Sequence, residues 1–474
     1  MTTPPKPGLF PFQRDGVEFL RERTAAGLFD DPGLGKTKQV IEVLNREVEA
    51  GALGGAVVIC PNTLKTTWSE EIERHSTLRY AVFGAGRKAR RDTFRSLRAH
   101  FYIINYEAVA AELASLRALL RFKPMALVLD ESHRIKTPDA KVTRAVLDLR
   151  RDAARRYILT GTPVANKPED LWSQMYFLDD GSSLGATFDE FRAKYCSAGG
   201  GYVRMEELKD RIASITLRRK KEGNVDLPPK NFARVSVSLR GEQKRLYEAM
   251  RNELAVWVRS MTGEQVLTEA EGILARMVRL AQLASNPSLL DAGYHETPAK
   301  IEALDRLLTE YLNVPDEKLI VWTSFVGNIS VLMKRYDQFR PVCLYGEMDG
   351  RARDRAIADF KRKKDVRIMV ANPAAAREGL TLTVARFAVY LDRTFNLVDF
   401  LQSQDRIHRI SQHKPCEIVL LIAERTVDEF IEFALAQKHR LAAFVQGDTS
   451  QIAPLDLVLQ KPDVLRALLE PVGG

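Results

Sequence analysis

The sequence predicts an α/β protein with two parallel-sheet lobes separated by helical material. Three observations carry that expectation. Short β-branched runs alternate with helical apolar spacing up to about residue 165; the alternation resumes at about residue 300; and the stretch between, residues 240 to 285 above all, holds long amphipathic segments with few strand signals. A chain of 474 residues readily supports two large lobes with helical additions.

The elements follow in order. Residues 1 to 9 are Pro-rich, and Phe10-Pro11-Phe12-Gln13 opens an amphipathic helix that runs through Leu20. Phe29 to Thr37 is an apolar lead-in and a glycine-bearing loop, followed by a helix marked by Val40, Ile41 and Leu44. Gly33 and Gly35 let the backbone curl so that successive N–H groups point at one spot, and the helix N-terminus adds its positive end. Such a loop cradles phosphate: Lys36 would neutralise the outer phosphates and the Thr37 hydroxyl would sit on the bridging Mg²⁺. The strict pattern has glycine where this chain has Asp30, and an ordinary helix-capping turn is the other reading.

Ala56 to Pro61 reads as a buried strand stopped by proline, and Asn62 to Ile72 as a helix carrying Leu64 and Trp68. Arg87, Arg91, Arg95 and Arg98 then fall on one helical stripe, either a solvated face or a phosphate-contacting one. Tyr102 to Tyr106 and Ala126 to Leu129 are further strands around a helical segment from Tyr106 to Leu120, and the second ends in Asp130-Glu131-Ser132-His133. Tyr157-Ile158-Leu159 delivers Thr160-Gly161-Thr162-Pro163 at its tip. Functional residues therefore collect at the carboxyl ends of parallel strands.

Leu171, Trp172, Met175 and Phe177 mark helix, and Gly199-Gly200-Gly201 a loop or hairpin tip. Arg218-Arg219-Lys220-Lys221 before Asp226-Leu227-Pro228-Pro229-Lys230 reads as a basic connector, either a charged linker or a nucleic-acid contact. Beyond residue 300, strands are expected at Lys318–Trp322, Val342–Tyr345, Val366–Val370, Phe387–Leu391 and Ile418–Leu421, with helices from Val326 to Tyr336 and Arg351 to Phe360.

Lys plus Arg number 71 against 62 Asp plus Glu, a net charge of +9 that leans towards a polyanionic partner. Cys60, Cys196, Cys343 and Cys416 stand far apart with no paired ligand spacing, which predicts reduced thiols, a cytosolic-type compartment and no structural zinc. No apolar run approaches membrane-spanning length, and the N-terminus lacks a signal-peptide core, so no membrane association is expected.

The chemistry rests on two clusters. Asp130, at a strand end, can hold Mg²⁺ directly or through water, and Glu131 can orient and deprotonate the water that attacks the γ-phosphate. Farther along, Arg406 and Arg409 are spaced i, i+3, expected on one helix face, and guanidinium forks suit charge spreading over a transferred phosphoryl group. A salt-bridged surface helix is the plainer reading of that pair.

Taken together the stretches resemble the ordered motifs of superfamily-two helicase-like motors, specifically the Swi/Snf-type (Snf-two) family of double-stranded DNA translocases. Phe12-Gln13 resembles the adenine-reading glutamine element, Asp30 to Thr37 the nucleotide loop, and Pro61 to Leu64 with Trp68 and Glu71 the first DNA-contact motif. Ile104 to Glu107, the Asp130 to His133 acid box and the Leu159 to Asn166 coupling motif follow in family order. The marks that favour this family over strand-separating helicases are Leu217 to Lys220 with Leu227 to Lys230, Leu283 to Pro287 and Pro298-Ala299-Lys300, with further support from Glu378 to Leu382 and Gln404 to Gln412. The chain departs from the pattern at Pro32, where methionine is usual, at Arg377, where a small residue is common, and at Phe395-Asn396-Leu397, which replaces Trp-Asn-Pro.

The resemblance implies two RecA-like lobes with family-specific helical insertions. It divides the chain into an ATP-binding lobe (1–165), a helical extension with the basic connector (166–230), a helical extension of the second lobe (231–299), a second lobe carrying the arginine fingers (300–440) and C-terminal tail helices (441–474). It implies ATP and Mg²⁺ as cofactors, held by Gln13, Gly33, Gly35, Lys36, Thr37, Asp130 and Gly379, with Arg406 and Arg409 completing hydrolysis from across a cleft. It further implies duplex DNA, forked or branched forms included, as partner of a monomeric motor, contacted by Thr63, Lys65, Asn105, Tyr106, Ser324 and Thr381. No histone-reading, zinc-binding or nuclease module is recognisable, which fits a bacterial or viral protein or an annealing-type fork remodeller, acting in the cytoplasm or, in a eukaryote, the nucleus. The alternatives are a strand-separating helicase and a nucleotide-gated DNA clamp that does not hydrolyse.

Overall fold

In the computed structural model, which describes residues 8–84, 86, 98–197, 201–260, 269–376 and 379–451, the chain divides into two units. The first runs to Asp226 and adds a C-terminal segment starting at Arg440; the second comprises Leu227–His439.

The first unit is built on a seven-stranded sheet: β1 (Ala25–Leu28), β2 (Gly55–Cys60), β3 (Tyr80–Val82), β4 (Phe101–Asn105), β5 (Met125–Asp130), β6 (Arg155–Leu159) and β7 (Thr216–Leu217). Their spatial order is β3-β4-β2-β5-β6-β1-β7, and every pairing is parallel. Both faces are covered, which is why β2 and β5 read as continuous apolar runs: Val57, Ile59, Leu127 and Leu129 enter one core, and Val58, Cys60, Ala126 and Val128 the other. Helices Trp172–Asp179, Phe188–Tyr195 and Met205–Ala213 place Met175, Phe191, Tyr195 and Leu208 in the first of these cores, and Leu441, Phe444 and Val445 join them.

Register decides where the chemistry sits. Leu28 pairs with Leu159, and Leu159 with Asp130, so the loop after β1, the Thr160 segment after β6 and the acid box after β5 emerge side by side.

The second unit has β8 (Lys230–Val237), β9 (Leu319–Trp322), β10 (Val342–Leu344), β11 (Ile368–Ala371), β12 (Phe387–Tyr390) and β13 (Cys416–Ala423), in the order β10-β11-β9-β12-β13-β8 and all parallel. Helices Gly241–Arg259 and Ala270–Ser285 form a separate core with Leu397, Val427 and Ile431.

Several local expectations change. Strand β8 lies where helix was expected; as an edge strand its residues are mostly exposed or half-buried, so it lacks the apolar run that marks an interior strand. The two-residue β7 and the three-residue β3 are also edge strands, too short to signal themselves. The helix expected from Tyr106 to Leu120 is two, Tyr106–Val109 and Leu113–Phe122. Arg87, Arg91, Arg95, Gly199, Gly200 and Arg377 lie outside the described residues, as do residues 452–474 of the tail expected to be helical. Among the described residues no helix is long and apolar enough to cross a membrane.

Candidate active site

The loop after β1 takes the shape that its glycines permit. Gly33 (φ 94°) and Gly35 (φ 75°) lie in the left-handed region, and Gly35 caps helix Lys36–Glu49 with no side-chain acceptor, so the first N–H groups of the helix face the loop. Lys36 Nζ donates to the carbonyl oxygens of Asp30 (2.6 Å) and Asp31 (3.3 Å). Burial lowers its pKa against the opposing pull of four carboxylates, Glu131, Asp30, Asp130 and Asp31. Thr37 stands in the first turn of the same helix. The amide of Gln13 closes the other side: its Oε1 accepts from Phe10 N (3.1 Å) and its Nε2 donates to Leu34 O (3.1 Å). A Cβ at Gly35 would lie 2.5 Å from that Nε2 and would displace the Gln13 amide, while the positive φ is what calls for glycine there.

The acid box stands beside the loop. Asp130 is buried; its Oδ2 accepts from the Trp68 indole (2.8 Å) and its Oδ1 from the Glu131 N–H (3.0 Å). Burial first, and the neighbouring Glu131 charge second, push its carboxyl up to about 7, against the pull of Trp68 and Lys36. Glu131 holds a left-handed backbone (φ 52°, ψ 53°), costly for a side chain with a Cβ and of the kind that collects at functional sites. Its Oε2 lies 3.5 Å from Thr160 Oγ1 and 3.3 Å from His133 Nδ1, which is itself 3.2 Å from Thr160 Oγ1. Thr160 Oγ1 also accepts from Thr162 N (3.1 Å), and Gly161 approaches Pro32 so closely that a Cβ would sit 2.7 Å from the ring. The three strand tips are thus tied into one cluster holding Gln13, Gly33, Gly35, Lys36, Thr37, Asp130 and Glu131.

Other expected roles change with geometry. Tyr106 is buried, its hydroxyl donating to Asp130 O (2.9 Å), so it supports the acid box from the core instead of presenting a ring to nucleic acid. Trp68, read as part of a DNA-contact motif, likewise points inward to Asp130. Thr63 is exposed, Lys65 Nζ donates to Phe83 O (2.9 Å), and Asn105 Nδ2 to Glu107 Oε2 (2.7 Å). The basic connector is no linker: Arg218 and Arg219 fold back onto Asp31 and Asp30.

In the second unit, helix Leu397–Gln404 ends before the arginine pair, so Arg406 and Arg409 do not share a helix face. Arg406 is buried, donating to Gln402 O (2.7 Å) and Leu380 O (3.1 Å), and Ile407 beside it lies in the core. Arg409 is partly exposed; its Nε donates to Asp405 O (2.9 Å) and its Nη1 to Thr381 Oγ1 (3.0 Å). Gly379 is exposed with φ 70°. Ser324 N donates to Asp392 Oδ1 (2.5 Å), and Asp392 Oδ2 accepts from Ser285 Oγ, Thr323 Oγ1 and Asn328 Nδ2. Burial raises the Asp392 carboxyl, with Lys300 opposing. Ser285, Asn286 and Lys300, which distinguish the family in sequence, are buried around this hub.

The sequence alone did not reveal Gln39, whose buried amide donates to Asp30 Oδ2 (3.2 Å), or the Arg219 clamp. A buried glutamine on the core side of the post-loop helix carries no pattern of its own.

The SNF2-related domain profile matches residues 12–289, and the helicase conserved C-terminal domain profile residues 299–411. The chain is 28% identical over 459 residues to "Chromodomain-helicase-DNA-binding protein 1-like" of Danio rerio, covering 91% of this chain and 43% of that protein. It is 26% identical over 447 residues to an ATP-dependent helicase of Mycoplasma pneumoniae, covering 91% and 42%. The chain therefore spans less than half the length of these relatives. Among solved structures, "Sulfolobus solfataricus SWI2/SNF2 ATPase core in complex with dsDNA" is 29% identical, with 94% of each chain covered and a TM-score of 0.44.

Proposed function

Because the chain belongs to the SNF2-related family of helicase-like ATPases, we propose that it hydrolyses ATP to move along double-stranded DNA and displace or remodel what it meets. The observation that carries the reading is the alignment of Leu28, Leu159 and Asp130 across neighbouring strands, which brings a phosphate loop, a buried carboxylate and a candidate base together.

In this reading the N–H groups around Gly33 and Gly35 receive the phosphates, and Lys36 Nζ moves from the Asp30 and Asp31 carbonyls to the outer phosphates. Thr37 and Asp130 would hold Mg²⁺, which when bound supplies charge neutralisation at the β- and γ-phosphates. The donor set fits a hard cation: a hydroxyl, and a carboxylate pushed up to about 7 by burial that a neighbouring divalent charge would return to its ionised form. Glu131 Oε2 takes the proton of the attacking water, with Thr160 and His133 fixing the carboxylate's direction. Arg409 is the guanidinium assigned to the transferred phosphoryl group, and Thr63, Lys65, Asn105, Ser324 and Thr381 to the DNA backbone. The net charge of +9 suits that partner.

ATP turnover measured with duplex, single-stranded and forked DNA tests this. Duplex is expected to stimulate at least as strongly as the other forms, with a stimulation that falls steeply with salt, because Lys and Arg contacts to phosphate release counterions. Stimulation by single strands alone would favour a strand-separating helicase, and salt-independent turnover would remove DNA from the reading.

A further inference from the structure

The Arg218-Arg219 pair, set apart in the sequence as a basic connector, has no part in the mechanism above, yet it touches the nucleotide loop at several points. Arg219 donates to Asp30 twice, Nε to Oδ1 (2.9 Å) and Nη2 to Oδ2 (2.5 Å), and Nη2 also reaches Gln39 Oε1 (2.7 Å). Its Nη1 donates to the carbonyl of Phe12, the residue before Gln13. One guanidinium therefore joins the Gln13 segment, the first residue of the loop and the helix that follows it. The main chain supports the same arrangement, since Phe29 N donates to Leu217 O (2.8 Å) and Asp31 N to Arg219 O (2.9 Å), extending the pairing of β1 with β7 into the loop. Arg218 adds a second tie, donating to Phe29 O (2.6 Å) and pairing with Asp31 (2.7 Å) and with both oxygens of Asp448 (3.1 and 2.7 Å).

Asp30 makes this clamp necessary. It stands where a strict phosphate loop has glycine, its side chain is fully buried, and an uncompensated carboxylate there would repel a triphosphate as well as carry a heavy desolvation cost. Arg219 cancels that charge and fixes the backbone whose carbonyl receives Lys36 Nζ. Helix Pro11–Arg21 leaves room for it: a Cβ on Gly16 would fall 1.9 Å from Gln39 Oε1 and 2.6 Å from Arg219 Nη2.

We propose that Arg219 is the positioning residue of the nucleotide loop, holding the Gln13 segment, Asp30 and helix Lys36–Glu49 in register and so setting ATP affinity without touching the nucleotide. The inference rests on the reading that this loop binds ATP.

Two variants test it, each followed by ATP titration of turnover and by thermal melting without nucleotide. Arg219→Lys keeps the charge and loses the fork; it is expected to raise KM for ATP about tenfold, the scale of one lost hydrogen bond to a charged group, with kcat changed by less than about threefold. Gly16→Ala leaves every charge in place and, inside a helix, would ordinarily stabilise; its Cβ is expected to push Gln39 Oε1 and Arg219 Nη2 apart from their present contact and raise KM in the same direction. Unchanged KM in both folded variants overturns the inference, whether or not the melting temperature moves. Lys36→Ala separates the two levels: if it binds ATP as tightly as the unaltered chain, the ATP reading of the loop itself fails.

Discussion

Glutamine in place of Glu131 is expected to lower ATP turnover by about 10²–10³-fold while nucleotide stays bound. The amide keeps the size of the side chain and its reach towards Thr160 Oγ1 and His133 Nδ1, but cannot accept the proton of an attacking water. Binding is expected to hold or tighten for a separate reason. The Glu131 charge helps to hold the Asp130 carboxyl up, so removing it lets Asp130 ionise more readily, the form in which it would hold Mg²⁺ in the proposed site. A Glu131→Gln chain that turns ATP over within about threefold of the unaltered rate would exclude Glu131 as the base.

Alanine at Arg409 is expected to lower kcat by about a thousandfold or more, with little change in ATP affinity, as for guanidinium groups that act on the transferred phosphoryl charge. Alanine at Arg406 is expected to act differently. Its guanidinium is buried and bonded to the carbonyls of Gln402 and Leu380, so its loss leaves two buried acceptors without that donor and a cavity beside Ile407. The second unit should melt at lower temperature, and turnover should fall only with the folded fraction. The check is kcat against the melting curve for both variants. A fully folded Arg406→Ala with a thousandfold loss, beside an active Arg409→Ala, would reverse the assignment.

Most interior strands were legible because both sheet faces are covered; β1, whose Ala25-Ala26-Gly27-Leu28 holds no β-branched residue, was not. β2, β9 and β12 are unbroken apolar runs, β5 and β13 carry such runs from Met125 to Leu129 and from Ile418 to Ala423, and the glycines and acids at strand tips follow from parallel topology. Edge strands carry half their surface in solvent, so β8, with Lys230 and Arg234 among its residues, has no such run to read. In the site, the loop and acid box were legible because their spacing is local. What holds them is not: Trp68 to Asp130, Tyr106 to Asp130 and Arg219 to Asp30 join residues far apart in the chain, and the sequence, which pointed Trp68 and Tyr106 at DNA and Arg219 at a connector, carries no local pattern that names the acid each one holds. The Arg406 and Arg409 spacing misled for a similar reason, because periodicity alone does not show that the helix ends at Gln404.

Displacement of a third strand from a triplex on a duplex whose own strands are covalently closed tests directly whether hydrolysis drives movement along intact DNA. The unaltered chain with ATP should release the third strand while the duplex stays paired, and neither the Glu131→Gln chain nor a non-hydrolysable nucleotide should do so. Release that proceeds equally without hydrolysis, or no release while DNA-stimulated turnover continues, would contradict a translocating motor.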